Sequence, residues 1–461
     1  MNHKTRENLN RTEEIEAVYK RFSRTGLWRL RIRRYIRSVT WFLAVFIASV
    51  SKRVFDFFVS LALLLLFSPV IVLGWLVTGR SLARTPRLGK WCVTFDELSF
   101  DIHKGLGGKI TKLLHIRRLP VLINILRGDM SFVGPLPASP GDFSLQEKAV
   151  RKRYNVRPGI ISLWWIRKRA NIDYGTELDV DMEYVQKHSL VSDLGICLRA
   201  IPAILYGEGV PTAPDKLKIL GISIDNYTMN EAIDTIINWL HEPSGRQICF
   251  VNADCANIAY KNSHYLKVLN YSNLCFADGV GLKLAGKLLG QDIAQNVNGT
   301  DMFPLLCKKL DQTNLKLFLL GARQEVVEGV ADWVEKNYPN LKLAGHHHGY
   351  FTPEEQPAVI QKIKDSGAHL LLVAFGAPRQ DLWINEHLDE TNAKVAIGVG
   401  GLFDFYSGRI PRAPVWMREI GMEWLYRLLQ EPGRLWKRYL IGNGIFLSRV
   451  IWEKFFPKNR D

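Results

Sequence analysis

The sequence predicts an α/β protein in two parts: a Rossmann-like parallel sheet with a helical C-terminal appendage, preceded by a mainly α, membrane-embedded domain with a re-entrant helix. Three observations predict it. Between Leu217 and Gly408, short apolar runs that end on glycine or a polar residue alternate with amphipathic stretches, the pattern of strands buried on both faces of a parallel sheet. From Arg409 to Arg438, Trp416, Met417, Ile420, Trp424, Leu425 and Leu428 recur at helical spacing among arginines. Finally, Phe57 to Val77 carries no charge over 21 residues, which at a helical rise reaches about 30 Å, the thickness of a hydrocarbon core.

The 461 residues suffice for two domains with sizeable cores. Lys and Arg number 61 against 45 Asp and Glu, a net charge of +16, and 13 Trp with 22 Phe accompany it. Basic and aromatic together suit an anionic membrane face. With no zinc spacing and no RNA-binding aromatic signature, nucleic acid is not expected as a partner. The six cysteines form no C-x-x-C pair and lie mostly in apolar runs, as buried thiols of a reducing compartment do. No stretch has the layout of a signal peptide.

Residues 1–39 hold eleven Lys or Arg against four Glu. RLRIRRYIR (Arg29 to Arg37) fits either a helix drawn to anionic lipid or a disordered basic tail. In the apolar stretch, Ser68-Pro69 falls past the middle. Both flanks are basic: Lys52 and Arg53 before it, Arg80, Arg84, Arg87 and Lys90 after it. Positive flanks favour the cytoplasm, so a bent, re-entrant hairpin is expected, with a kinked spanning helix as the other reading.

From Lys52 to about Gly207, KRVFDF, FSP, NILRGDMSFVGPLP, VRPGI and DMEYVQKHSLVSDLGI resemble the monotopic phosphoglycosyl transferases, bacterial sugar transferases that place a phosphosugar on polyprenyl phosphate. The resemblance implies a re-entrant membrane helix and adjacent catalytic carboxylates ahead of the NILRGDMS run. At that register stand Arg117 and Arg118, which offer no lone pair to attack phosphorus or hold Mg²⁺. Leu136 replaces an expected arginine, and LWWIRKR (Leu163 to Arg169) replaces the pattern expected after VRPGI. Asp96-Glu97 lacks the family context. The expected role is an inactive anchor, with Arg117, Arg118, Arg127, Arg167 and Arg169 either contacting lipid phosphates or forming an unspecific surface.

GEGVPTAPD (Gly207 to Asp215) reads as a connector. LKILGISI (Leu217 to Ile224) reads as a buried strand, and Thr228-x-x-Glu231 as a capping box opening a helix. QICFVNADCANIA brings a strand to Asn252, and NLCFADGVGLKLAG brings another to Asp278 beside Gly279. KLFLLGARQ ends a strand at Gly321, LKLAG follows, and Thr352-Pro353-x-Glu355 marks a second capping box. HLLLVAFGAPRQDLWI and KVAIGVGGLFDFYSG then set Gly376, Gln380, Gly400 and Asp404 beyond strand ends, where ligands of open α/β sheets lie. The expected division is a basic segment (1–51), the phosphoglycosyl-transferase-like domain (52–207), a linker (208–216), the α/β core (217–408) and an Arg-rich, membrane-associating appendage (409–461).

FGAPRQDLWI, IGVGGLFDFYSG, RAP-W-R and EWLYRLLQEPGR resemble the WecG/TagA/CpsF family of bacterial glycosyltransferases over roughly Leu217 to Phe456. The resemblance implies inverting transfer of a sugar, N-acetylmannosamine-type or another hexose, from a UDP donor to a polyprenyl-diphosphate-linked acceptor in surface polysaccharide synthesis. It makes Asp278 the base and matches Asn252, Arg427 and Arg434, with Lys437 or Arg438 as the third cation, to substrate binding; the strand-end residues Gly279, Gly321, Gly376, Gln380, Gly400 and Asp404 complete the expected substrate-binding set. A helix-capping Asp278 and a turn-closing Asn252 are the structural alternatives. Asn296 stands where the family has an arginine.

With no Asp-x-Asp after Leu217, departure of the diphosphate is expected to rely on arginines, with no metal or other cofactor. His346, His347 and His348 suit pocket lining, since at most two neighbours on an extended segment face one site. The last helix, Ile445 to Phe456, suits a bilayer interface. The expected setting is the inner membrane, with catalysis facing the cytoplasm, membrane lipids as partners and room for a homo-oligomer. Two other functions fit the same chain: a bifunctional enzyme that also primes the lipid, and a scaffold for other polysaccharide enzymes.

Overall fold

The computed structural model describes residues 24–78, 81–101, 116–141, 148–168, 174–206 and 216–456. The N-terminus through residue 23, Arg80, His115, Arg169 and the whole connector from Gly207 to Asp215 lie outside the described residues. The chain divides into two compact units, Met1–Leu163 with Thr176–Cys197, and Trp164–Gly175 with Leu198–Asp461.

The first unit opens with α1 (Arg24–Val77), a single 54-residue helix. Ser68-Pro69 lies inside it, and the stretches on either side both meet this unit: Asp56 and Ser60 are buried, and a Cβ on Gly74 would lie 2.7 Å from the Phe100 ring. Proline forfeits one backbone hydrogen bond, the Ser68 hydroxyl donates to the Leu65 carbonyl at 2.8 Å, and the helix continues. Phe46–Val77, 32 residues and 11% buried in its most apolar window, reaches about 48 Å at 1.5 Å per residue, enough by length and composition to cross a bilayer.

Lys52 and Arg53, expected as a basic flank, are engaged within the protein. Lys52 pairs with Asp193 and donates to the Tyr184 hydroxyl (2.7 Å) and the Val133 carbonyl (2.8 Å). Arg53 donates to the Ile125 and Leu126 carbonyls, each at 2.6 Å. It thereby caps the C-terminus of the helix those residues end.

That helix follows an antiparallel hairpin of β1 (Leu82–Leu88) and β2 (Thr94–Phe100). It is α2 (Val121–Arg127), and its Asn124 ties it to the hairpin, accepting from the Leu98 amide (3.0 Å) and donating to the Asp96 carbonyl (2.8 Å). β3 (Ser131–Val133), α3 (Lys148–Arg153) and β4 (Gly159–Ile161) come next, β3 and β4 being parallel. Here the glycines of VGPLP and VRPGI meet: a Cβ on Gly159 would lie 2.1 Å from the Gly134 nitrogen. Only two hydrogens fit that crossing, which accounts for both motifs. α4 (Leu163–Arg167), α5 (Glu177–Lys187) and α6 (Leu190–Tyr206) follow. Buried Arg153 pairs with Asp181 at 2.8 Å and Glu177 at 2.6 Å.

In the second unit, LKILGISI is a hairpin rather than one strand: β5 (Lys216–Ile219) and β6 (Ile222–Asp225) pair antiparallel. The turn residues Leu220 (φ 51°) and Gly221 (φ 82°) are both left-handed, the geometry of a two-residue hairpin turn. α7 (Met229–Trp239) starts on the expected Thr228/Glu231 capping box.

The alternation then runs through β7 (Arg246–Val251), α8 (Ala253–Lys261), α9 (Ser263–Tyr271), β8 (Leu274–Ala277), α10 (Val280–Leu289) and α11 (Gly299–Leu310). It continues through β9 (Lys316–Gly321), α12 (Gln324–Asn337), β10 (Lys342–His347) and α13 (Gln356–Ser366). β11 (Leu370–Ala374), α14 (Arg379–Thr391), β12 (Val395–Gly398) and α15 (Leu402–Tyr406) complete it. Thr352 and Glu355 exchange the expected capping bonds one turn ahead of α13.

β7 to β12 form one parallel six-stranded sheet, ordered β10-β9-β11-β12-β7-β8. Side chains alternate between its faces. Leu317 and Leu319 pack with α7, α11 and α12, while Phe318 and Leu320 pack with α13 and α14. The appendage consists of α16 (Val415–Glu419), α17 (Glu423–Gln430), α18 (Pro432–Trp436), a π-helical turn at Lys437–Gly442 and α19 (Asn443–Phe455). Phe446 and Val450 of α19 are buried against α8, α10 and the β5–β6 hairpin.

Candidate active site

Apolar β7 and β8 fix where their polar ends must stand. The Asp278 amide donates to the Val251 carbonyl at 2.7 Å, extending the strand pairing by one residue. Its side chain is thereby fixed at the carboxyl edge of the sheet. Gly279 follows at φ 89° and donates its amide to the Asn296 carbonyl oxygen Oδ1 at 2.6 Å. Asn296 therefore shapes the turn after Asp278 from the position where the family pattern has an arginine. Asn252 caps α8, accepting from the Asp254 and Cys255 amides at 3.0 and 3.1 Å. One of its polar atoms is thus structural, as the turn-closing alternative expected.

The cleft beyond these strand ends is lined by Asn252, Asp254, Asp278, Asn298 and Asp301, and from the appendage by Arg418, Glu423, Trp424, Arg427, Arg438, Tyr439 and Asn443. Arg412 joins core to appendage: its guanidinium lies 2.8 Å from Asp301 and 3.3 Å from Glu423. Arg438 lies 3.1 Å from Asp254. Three of the four acids lining the cleft thus have an arginine in contact, and among the described residues Asp278 has none. Burial pushes its carboxyl up to about 6; Arg438 and Arg427 pull it down, and Glu423 and Asp301 push it up.

Arg427 stacks 4.9 Å from the centre of the Phe405 ring and makes no ion pair among the described residues. Its buried Nε has no hydrogen-bond partner. The cleft therefore presents a carboxylate able to take a proton near neutrality, beside a cation available to an incoming anion.

Of the residues expected from sequence, Asp278, Asn252, Gly279, Arg427 and Arg438 line this cleft; Gly321, Gly376, Gln380, Gly400, Asp404 and Arg434 do not. Gly321 serves packing, since a Cβ there would lie 2.7 Å from the Ala374 nitrogen. Gln380, 3% exposed, accepts from the amides of Gly376 (3.1 Å) and Gly400 (2.9 Å), so it holds the turns after β11 and β12 together. Asp404 pairs with Arg409, and Arg434 pairs with Glu431 at 3.1 Å.

The histidines do not line the cleft either. His347 and His348 bond to nearby backbone groups, and no cluster of three or more metal-ligating side chains occurs among the described residues. Arg412, Asp301 and Glu423 escaped sequence reasoning, because their bonds join residues more than a hundred positions apart as well as near neighbours. Their one local signal was the arginine of RAP. In the first unit, Arg118 lies 2.9 Å from Glu97, which also pairs with Arg87 at 2.9 Å.

Residues 105–207 match the Bacterial sugar transferase family, and residues 217–460 match the Glycosyl transferase WecG/TagA/CpsF family. A protein of Bacillus subtilis (strain 168) named N-acetylglucosaminyldiphosphoundecaprenol N-acetyl-beta-D-mannosaminyltransferase is 34% identical over 225 residues, 48% of this chain and 87% of that relative. A Staphylococcus aureus (strain MW2) protein of the same name is 33% identical over 243 residues, 52% of this chain and 93% of that relative. The second of these family matches spans more than half of the chain, and it contains both the parallel sheet and the arginine-bearing appendage around Asp278: the chain belongs to the WecG/TagA/CpsF family and is a glycosyltransferase.

Proposed function

We propose that the protein moves a sugar, N-acetylmannosamine or a related hexose, from a UDP-sugar to a polyprenyl-diphosphate-linked acceptor, with inversion, during surface polysaccharide assembly. The relatives' names support this acceptor class. The observation that carries the mechanism is the Asp278 carboxyl at the strand edge, raised to about 6 by burial and, among the described residues, without a contacting arginine. Ionised, it takes the proton from the attacking acceptor hydroxyl as the oxygen bonds to the anomeric carbon and the bond to UDP breaks. Negative charge then grows on the departing diphosphate, where Arg427 is the available counter-charge and no metal is invoked.

α1 and the apolar faces of α6 and α19 would hold the chain at the cytoplasmic face of the inner membrane, with lipid as their partner. The 105–207 region is read as anchor rather than catalyst, because Arg117 and Arg118 stand at the positions of the expected acids and Arg118 is paired with Glu97.

The test offers the purified full-length protein a panel of UDP-sugars with either polyprenyl phosphate or polyprenyl-diphosphate-N-acetylglucosamine. Product from the diphosphate-linked sugar alone, lost in Asp278→Asn, is the expected result. Product from the bare phosphate with release of UMP would assign phosphosugar transfer to the N-terminal region instead.

A further inference from the structure

α16 carries two charged neighbours with opposite surroundings. Arg418 lines the cleft, while Glu419, about 100° further round the helix, has a side chain only 1% exposed. A carboxylate so deeply buried needs partners, and among the described residues it has three. Arg167 donates from Nε at 2.9 Å, Arg199 at 3.2 Å and the Tyr174 hydroxyl at 2.5 Å. Arg167 also stacks 4.3 Å from the centre of the Tyr174 ring. Burial, and secondarily the Glu419 carboxylate, push the Tyr174 phenol well up, so it stays a donor.

These partners come from Trp164–Gly175 and from the stretch that begins at Leu198, both parts of the second compact unit. Yet they lie within the 105–207 match to the sugar transferase family. Arg167 belongs to LWWIRKR, one of the places where the chain departs from the phosphoglycosyl-transferase pattern. α16 has five residues, too few to hold its own orientation, so what fixes Glu419 also fixes the direction of Arg418.

We propose that Arg167, Tyr174 and Arg199 are positioning residues for sugar transfer: through Glu419 they hold α16, and with it Arg418, against the cleft. The inference rests on the transfer reaction proposed above. It gives part of the sugar-transferase-like region a task beyond anchoring, as a built-in brace for the appendage of the catalytic unit.

The test uses the full-length protein in detergent and compares wild type, the Arg167→Ala/Arg199→Ala double variant, Arg199→Lys and Tyr174→Phe. Transfer kinetics, UDP-sugar affinity, melting temperature and amide exchange at 415–422 are followed. Small misplacements of a binding group reach about 100-fold in rate, so the double variant should lose roughly 10- to 100-fold in kcat. UDP-sugar affinity should be retained, exchange at 415–422 should quicken, and Arg199→Lys should keep most of the rate.

Wild-type kcat in the double variant, or a loss without faster local exchange, would overturn the proposal. If the double variant does not fold, Tyr174→Phe decides: unchanged kcat and exchange overturn the brace, and a several-fold loss in kcat with faster exchange supports it. A wild type that transfers no sugar would instead refute the transfer reading, while exchange at 415–422 still reports on the brace.

Discussion

The two family-matched regions treat charge in opposite ways. In the 105–207 region and the helix and hairpin before it, several charged side chains are neutralised within the protein: Lys52 by Asp193, Arg153 by Asp181 and Glu177, Glu97 by Arg87 and Arg118. In the glycosyltransferase region most charges are paired too, but the cleft keeps Asp278 and Arg427 without a contacting counter-ion among the described residues. Pairing lowers the cost of burial and fixes geometry, which is what a scaffold requires. Leaving a carboxylate and a guanidinium uncompensated at a strand edge costs stability and pre-organises a site for charge that arrives or develops during reaction. The contrast separates these paired charges from the two that the proposed mechanism uses.

The sharpest way to break the contrast is at Asp278. Its folded-state value of about 6 lies above the usual carboxylate range, so the folded protein binds this proton more tightly than the unfolded chain. The stabilising contribution is complete below the usual carboxylate value and is lost as pH rises through about 6. Asp278→Asn should therefore lose roughly 10²- to 10⁴-fold in kcat, as loss of a general base does, yet melt higher than wild type above pH 7 by the equivalent of about 1–3 kcal/mol. That gap should close toward pH 4. In the wild type, kcat should climb through pH 6 and level off above 7. A rate flat from pH 5 to 8, or a variant less stable than wild type at pH 8, would remove Asp278 from the role of base.

Arg427 comes next in expected effect. Arg427→Ala should cost about 10²- to 10³-fold in kcat, the range seen when a donor to developing charge is removed, and Arg427→Lys should recover part of it. Because the guanidinium rests on Phe405 and has no ion pair to lose among the described residues, the melting temperature should barely move. A large drop in stability with an unchanged rate would place Arg427 among the structural arginines.

These expectations rest unevenly on what the sequence could display. The strands of the sheet other than the edge strand β10 were legible because they are largely buried apolar runs ended by a glycine or polar residue; Asp278 was legible because it follows such a run. The hairpin at Leu220-Gly221 was hidden, since a non-glycine residue in left-handed geometry leaves no mark in an apolar stretch. Pro69 lies inside α1 because its missing donor removes a single bond, too little to end a helix of this length. Gln380 looked like a ligand contact because it sits beyond a strand end, whereas its carbonyl oxygen bridges two backbone amides. Arg412 and Glu419 were out of reach of sequence, because their partners are fixed only when distant segments meet.

The smallest expected effect tests the scaffold side of the contrast. Arg118 stands where a catalytic carboxylate would be expected, but its side chain is 54% exposed and its partner Glu97 keeps a second arginine, Arg87. Arg118→Ala therefore leaves no buried charge orphaned, and an exposed ion pair of this kind contributes about 1 kcal/mol or less. Transfer to a polyprenyl-diphosphate-linked sugar should be unchanged, and stability should fall by no more than a degree or so. A drop in transfer of about tenfold, equivalent to 1.4 kcal/mol of transition-state binding, would mean that this arginine meets substrate during the reaction and that the sugar-transferase-like region takes part in more than holding the chain in place.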